Sequence, residues 1–97
     1  MNIIFDWDKS TSILDILANN REKFVEKYNL HLINMGVSQY TFDYIKNFIS
    51  IKYFALIKRK SRPKGCIGEI FGFDIYLTDI ENNRIELSTN KLSYKIL

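Results

Sequence analysis

Cysteine and histidine are nearly absent: Cys66 and His31 are the only ones among 97 residues. One thiol cannot close an intrachain disulfide, so nothing implies an oxidising compartment. The two together are too few for a zinc centre of Cys and His within one chain. Proline occurs once and glycine four times, which excludes a linker-rich or low-complexity protein. No window approaches the ~18 uncharged apolar residues of a membrane-spanning helix. The N-terminus lacks a basic segment followed by an apolar run, so no secretory signal is expected and the expected location is the cytoplasm.

The composition that remains is that of a folded chain, 46% hydrophobic and 26% charged. Six Tyr, seven Phe and Trp7 supply large burial per side chain. The length suits one domain, residues 1–97, with no room for a second core. A net charge of +3 permits an anionic partner without demanding one. Heavy use of Ile, Asn, Lys, Phe and Tyr is the signature of an AT-rich genome, which includes many bacteria, their phages and other mobile elements.

Asn2-Ile3-Ile4-Phe5-Asp6-Trp7 is short, apolar and β-branched, a candidate strand. Ser12, with Asp15 three positions on, resembles a capping box. From about residue 12 to 28, Ile13, Leu17, Asn20, Phe24 and Tyr28 recur at helical spacing, and Asn29 is a plausible stop. Leu30-His31-Leu32-Ile33-Asn34-Met35 predicts a second strand, ended by Gly36. Ser38 then opens a helix to about Ser50, with Val37 and Phe42 at the positions of a hydrophobic staple and Phe42, Ile45, Phe48 and Ile49 on its apolar side. Residues 51–57 are β-branched and aromatic and predict a strand.

The stretch Gly65 to Asp79 reads as a β-hairpin reversed at Gly72, where glycine can take the positive φ of a tight turn. Arg84 to Thr89 alternates as a strand with one face in water, and Leu92, Tyr94 and Ile96 alternate as a last strand. The expected fold is α+β: two helices packed on one face of a mostly antiparallel sheet, in the order β-α-β-α-β and then a β-meander.

Candidate chemistry is sparse. Lys58, Arg59, Lys60, Arg62 and Lys64 put five cations in seven residues just before the hairpin. Such a loop can neutralise phosphates or grip an acidic protein surface. Tyr53, Phe54 and Phe73 nearby could stack on exposed bases, although aromatics in strands are usually core. The binding residues are therefore taken as Lys58, Arg59, Lys60, Arg62, Lys64, Tyr53 and Phe73.

Asp6-Trp7-Asp8 resembles the aspartate pair of haloacid-dehalogenase-like phosphatases, where one carboxylate is the nucleophile and the next the acid. Lys9-Ser10 departs from that pattern, and the larger core and later acidic pair of those enzymes have no place here. A strand exit capping the first helix explains the pair more simply. His31 has no Ser or Cys nucleophile paired with it by any motif and reads as a half-buried strand residue. Glu69, Asp74, Asp79 and Glu86 could be imagined as a metal cluster, but strand alternation places them on the wet face. Gly65, Gly68 and Gly72 lie in a hairpin without a following helix, which does not suit a phosphate-cradling loop. No catalytic residue, metal site or cofactor is assigned.

Residues 30 to 89 resemble the axial domain of tailed-phage major capsid proteins. The likeness rests on the segment Leu30 to Phe42, a short strand and a helix opening with Ser38. A variable loop then leads to the glycine-centred hairpin Ile67 to Asp79, closed by a strand at Arg84 to Leu87. That family's extended arm, spine helix and peripheral sheet have no counterpart. The resemblance implies a small phage or prophage accessory protein in the host cytoplasm or the virion. The expected function is non-enzymatic protein–protein binding through the basic loop and the neighbouring sheet edge, in capsid assembly or as an inhibitor of a host defence complex. The alternative is a small nucleic-acid-binding domain using the 58–64 loop.

Overall fold

The computed structural model describes residues 1–50, 52–56 and 63–97. Along them run β1 (Asn2–Asp6), α1 (Ile13–Tyr28), β2 (Asn34–Val37), α2 (Gln39–Phe48), β3 (Phe54–Leu56), β4 (Cys66–Ile70), β5 (Phe73–Leu77) and β6 (Arg84–Ser88). Both helices start where a serine can satisfy an orphan amide. Ser12 Oγ accepts from the Asp15 amide at 3.4 Å and Ser38 Oγ from the Thr41 amide at 3.2 Å. Asn29 ends α1 in the left-handed conformation, φ 53°, with its amide on Val25 O at 3.0 Å. Val37 and Phe42, the staple pair around the Ser38 cap, are both buried in the core.

The β4–β5 hairpin turns through Phe71 and Gly72, at φ 48° and 84°, with Ile70 opposite Phe73. Two consecutive positive φ values make the two-residue turn whose twist matches the strands. The bare glycine at position 72 also leaves room for the Arg21 side chain. A Cβ there would stand 2.6 Å from an Arg21 guanidinium nitrogen, and that guanidinium lies 4.5 Å from the centre of the Phe73 ring.

The strands form one six-stranded sheet in the order β1-β6-β2-β5-β4-β3, in which only β2–β5 is parallel among the described pairs. These pairings make β1, β2, β3 and β5 run one way and β4 and β6 the other. The crossovers β1-α1-β2 and β2-α2-β3 therefore join like-directed strands and step the same way across the sheet. Right-handed connection puts both helices on one face. Against them the sheet presents two rows, Ile3–Leu87–Met35–Ile75 and Phe5–Ile85–Val37–Leu77. These rows pack with Ile13, Leu17, Phe24, Phe42 and Ile45 of the helices. The α+β class, the helices on one face and the element order agree with the sequence, but the expected closing β-meander is not formed, because β6 leaves β5 and pairs between β1 and β2.

Three local expectations are corrected. The second strand lies at Asn34–Val37, and Gly36 sits inside it rather than ending it. A Cβ on Gly36 would meet Thr78 at 3.2 Å and Leu92 at 3.3 Å, so the strand passes there because it has no side chain. Leu32 is buried in this approach while His31 is exposed. Of the expected 51–57 strand, Phe54–Leu56 is β3, with Ile51 and Ile57 outside the described residues. The final strand reduces to a single bridge, Thr78 with Ile96.

β6 does not keep one face in water. Glu86 and Ser88 are fully buried, because residues 91–97 cross the back of the sheet as a strap. The Glu86 carboxylate accepts from Asn2 Nδ2 at 2.7 Å, from the Ser93 amide at 2.9 and 3.0 Å, from the Ser93 hydroxyl, and from the Tyr94 amide at 3.3 Å. Asp79 Oδ1 takes the Lys95 amide, and the Leu97 amide reaches Leu77 O at 2.9 Å. Burial pushes the Glu86 carboxyl up, but the Ser93 hydroxyl and amide, then Asn2 and the Tyr94 amide, outweigh it and hold the group below its ordinary value.

Replacing this acceptor leaves the strap amides buried or loose. Glu86→Ala should destabilise the fold by about 3 kcal/mol, and Glu86→Gln, which keeps an acceptor, by less. A carboxyl with a depressed folded pKa contributes stability that is complete above its unfolded value and lost as pH falls through the folded one. Melts followed by circular dichroism from neutral pH downward should therefore show the wild type losing stability below about pH 4.5, with Glu86→Gln losing less over that interval.

Candidate functional site

Lys58, Arg59, Lys60 and Arg62 lie outside the described residues. The remaining sequence-predicted binding residues are not gathered. Lys64 is exposed at the start of β4. Tyr53, 38% exposed, stands at the opposite end of the hairpin, with its carbonyl on the Phe71 amide and its ring 6.4 Å from that of Phe71. At ~3.3 Å per strand residue, the two ends are on the order of 20 Å apart. Phe73 and Phe54 are buried in the core and offer no face to a base. The expected stacking role of Phe73 is therefore corrected: inward-facing strand aromatics fill the core.

Asp6 and Asp8 are each engaged separately. Asp6 Oδ1 pairs with Arg84 Nε at 3.1 Å. Asp8 Oδ1 accepts from the Ser10 amide at 2.8 Å and from the Ser10 and Thr11 hydroxyls. These bonds, those of Ser10 first, hold its carboxyl below the usual range. The pair is a strand exit that organises the turn into α1. Among the described residues no three His, Cys, Asp or Glu side chains gather as a metal group. Of the four acids Glu69, Asp74, Asp79 and Glu86, Glu86 and Asp79 hold the strap, while Glu69 and Asp74 face each other across β4 and β5.

Two surfaces stand out instead. The first is an aromatic ladder on α2. Trp7 leaves β1 with its amide on Asn83 O and buries its indole, whose Nε1 donates to Thr41 Oγ1 at 2.9 Å. Thr41 Oγ1 in turn donates to Asn82 O at 2.9 Å. Tyr40, Tyr44 and Phe48 recur every four residues on α2, the two tyrosines against that indole and Phe48 against Tyr44. The ring centres are 5.9 Å apart for Trp7–Tyr40, 4.7 Å for Trp7–Tyr44 and 4.8 Å for Tyr44–Phe48. Phe48, expected on the apolar side of its helix, is 70% exposed. It borders a groove of about 230 Å³ lined by Leu14, Tyr44, Ile49 and Tyr53. The i, i+4, i+8 spacing of Tyr40, Tyr44 and Phe48 was the signal for this face.

The second is a groove of about 440 Å³ between the strap and the back of the sheet, lined by Asn34, Lys64, Tyr76, Lys91, Leu92 and Tyr94 among others. The β4–β5 register, with Cys66 opposite Tyr76, brings Tyr76 beside Lys64, whereas Lys91 and Tyr94 carried no signal in the sequence, since only the strap's path brings them there. Comparison of the chain with family models, curated proteins and solved structures finds no match in any of the three.

The ladder rests on the Trp7–Thr41–Asn82 relay. Thr41→Val keeps the shape but strands the indole N–H and the Asn82 carbonyl, and should cost about 2 kcal/mol. Thermal melts measure the loss, and the emission of Trp7, the single tryptophan, should shift while α2 stays helical by circular dichroism.

Proposed function

We propose that the protein works by binding another protein, with the α2 ladder as the contact. The observation that carries this is Phe48, a phenylalanine left 70% in water yet held in a stack continuous with a buried indole. Exposed aromatics held rigid beside a groove are the usual anchors of protein interfaces, because they bring large area at small entropic cost. The partner best suited is a protein that inserts an apolar side chain into the groove bordered by Phe48, Leu14 and Tyr53. The likeness to the capsid axial domain supports the finer version, a phage or mobile-element accessory protein acting in capsid assembly or against a host defence complex. This version moves the contact from the basic loop and sheet edge to the helical face. The alternative, nucleic-acid binding through the 58–64 loop, has lost Phe73 as a stacking partner.

Capture from phage or host lysate, followed by measurement with the purified partner, tests the reading. Phe48→Ser combined with Tyr40→Ser changes exposed side chains only and should weaken the complex about tenfold or more. A partner bound equally well by that folded variant would overturn the ladder as the contact.

A further inference from the structure

We infer that the groove under the strap binds a small anion carrying a planar body, of which a nucleoside monophosphate is the simplest form. The site lies on the face of the sheet opposite the helices and does not depend on the α2 ladder. Its volume of about 440 Å³ falls within the ~300–1,000 Å³ of small-molecule sites. Its lining combines the two features such a ligand needs. Tyr94, half-buried, offers a ring and Leu92 an aliphatic wall against which a flat body can lie, with the buried Tyr76 beneath them.

Among the described residues Lys64 and Lys91 are the charged side chains of the lining, and none of those residues is a carboxylate. Neither lysine forms an ion pair among the described residues. Two ammonium groups without carboxylate partners, beside a low-dielectric wall, favour an anion over a neutral or cationic ligand. On that face Asp74 stands two residues before Tyr76 on β5, and Glu86 lies beneath Ser93 and Tyr94 with its oxygens taken by their amides, so the anionic group belongs at the lysine rim and the flat body over Tyr94 and Leu92.

Tyr76 adds a polar handle. It is only 6% exposed. Burial first, and then the neighbouring Cys66 and Asp74, push its hydroxyl up, so it keeps its proton at neutral pH and can donate. The strap forms a wall of the groove because Glu86 fixes Ser93 and Tyr94 and because Leu92 packs where Gly36 lacks a side chain. The same chemistry is offered by a free mononucleotide and by the phosphorylated end of a nucleic-acid strand.

Amide-resolved NMR titration of the full chain tests this with adenosine 5′-monophosphate, adenosine, inorganic phosphate and a short 5′-phosphorylated oligonucleotide. The monophosphate should move the amides of Asn34, Tyr76 and residues 90–96, with a Kd on the order of 1 mM or below. Lys64→Ala combined with Lys91→Ala, both exposed positions, should weaken it about tenfold. Tyr94→Ala should weaken it as well. An oligonucleotide that binds at the same amides about tenfold tighter than the monophosphate identifies a strand end as the source, and equal or weaker binding identifies the free nucleotide. The proposal is overturned if the monophosphate leaves these amides unmoved, if adenosine or phosphate alone binds as well, or if the double lysine variant binds unchanged.

Discussion

A carboxylate with no exposed surface, Glu86, accepts hydrogen bonds from the amides of Ser93 and Tyr94 and the side chains of Ser93 and Asn2. A buried charge is tolerated only when such donors surround it. Here those donors come from the first strand and the last segment of the chain. The connection handedness that puts both helices on one face leaves the other face to be covered by something else. The strap provides that cover, and Glu86 is what fixes it there. Gly36, Thr78 and Leu92 then close around the same point, so a strand that would otherwise need a polar outer face is buried on both sides.

The two faces consequently differ in kind. On the helical side the cover is apolar and continuous, with one buried polar relay from Trp7 through Thr41 to Asn82. On the strap side the cover is narrow and polar, and a strap of seven residues cannot fill the whole width of the sheet. The unfilled part is the groove beside Lys64 and Tyr76. Its existence follows from the same asymmetry that makes Glu86 necessary.

How much of this was legible in the sequence depended on how local the cause was. Caps and turns are set within a few residues, so Ser12, Asn29, Ser38 and the Gly72 reversal could be read directly. Element order and the one-sided helices followed from those. Errors arose where a distant segment decides. Gly36 reads as a strand end until Leu92 is known to lie over it. Glu86 reads as a wet-face residue until Ser93 and Tyr94 are placed above it. Phe73 and Phe48 exchanged roles for a related reason. Composition ranks both as core, but only the tertiary arrangement decides that Phe73 meets Arg21 and the core while Phe48 stays in water. The lining of the strap-side groove was the least legible, since the hairpin pairing brings Lys64 to Tyr76 but only the strap's course adds Lys91 and Tyr94.

Phe48 owes its place in the stack to positions far from it. A helix of ten residues such as α2 is marginal alone in water, so its order must come from the face that carries Phe42 and Ile45 into the core. Trp7 then converts that order into a surface. Its indole is fixed below by Thr41 and is in contact above with Tyr40 and Tyr44, the second of which carries Phe48. An aromatic stack whose rotamers are already chosen gives up little entropy when a partner closes on it. An interface that depends on such preorganisation is sensitive to Trp7 and Thr41, which no partner would touch. It is far less sensitive to exposed charges such as Lys46 and Asp43, which neutralise each other at 3.3 Å.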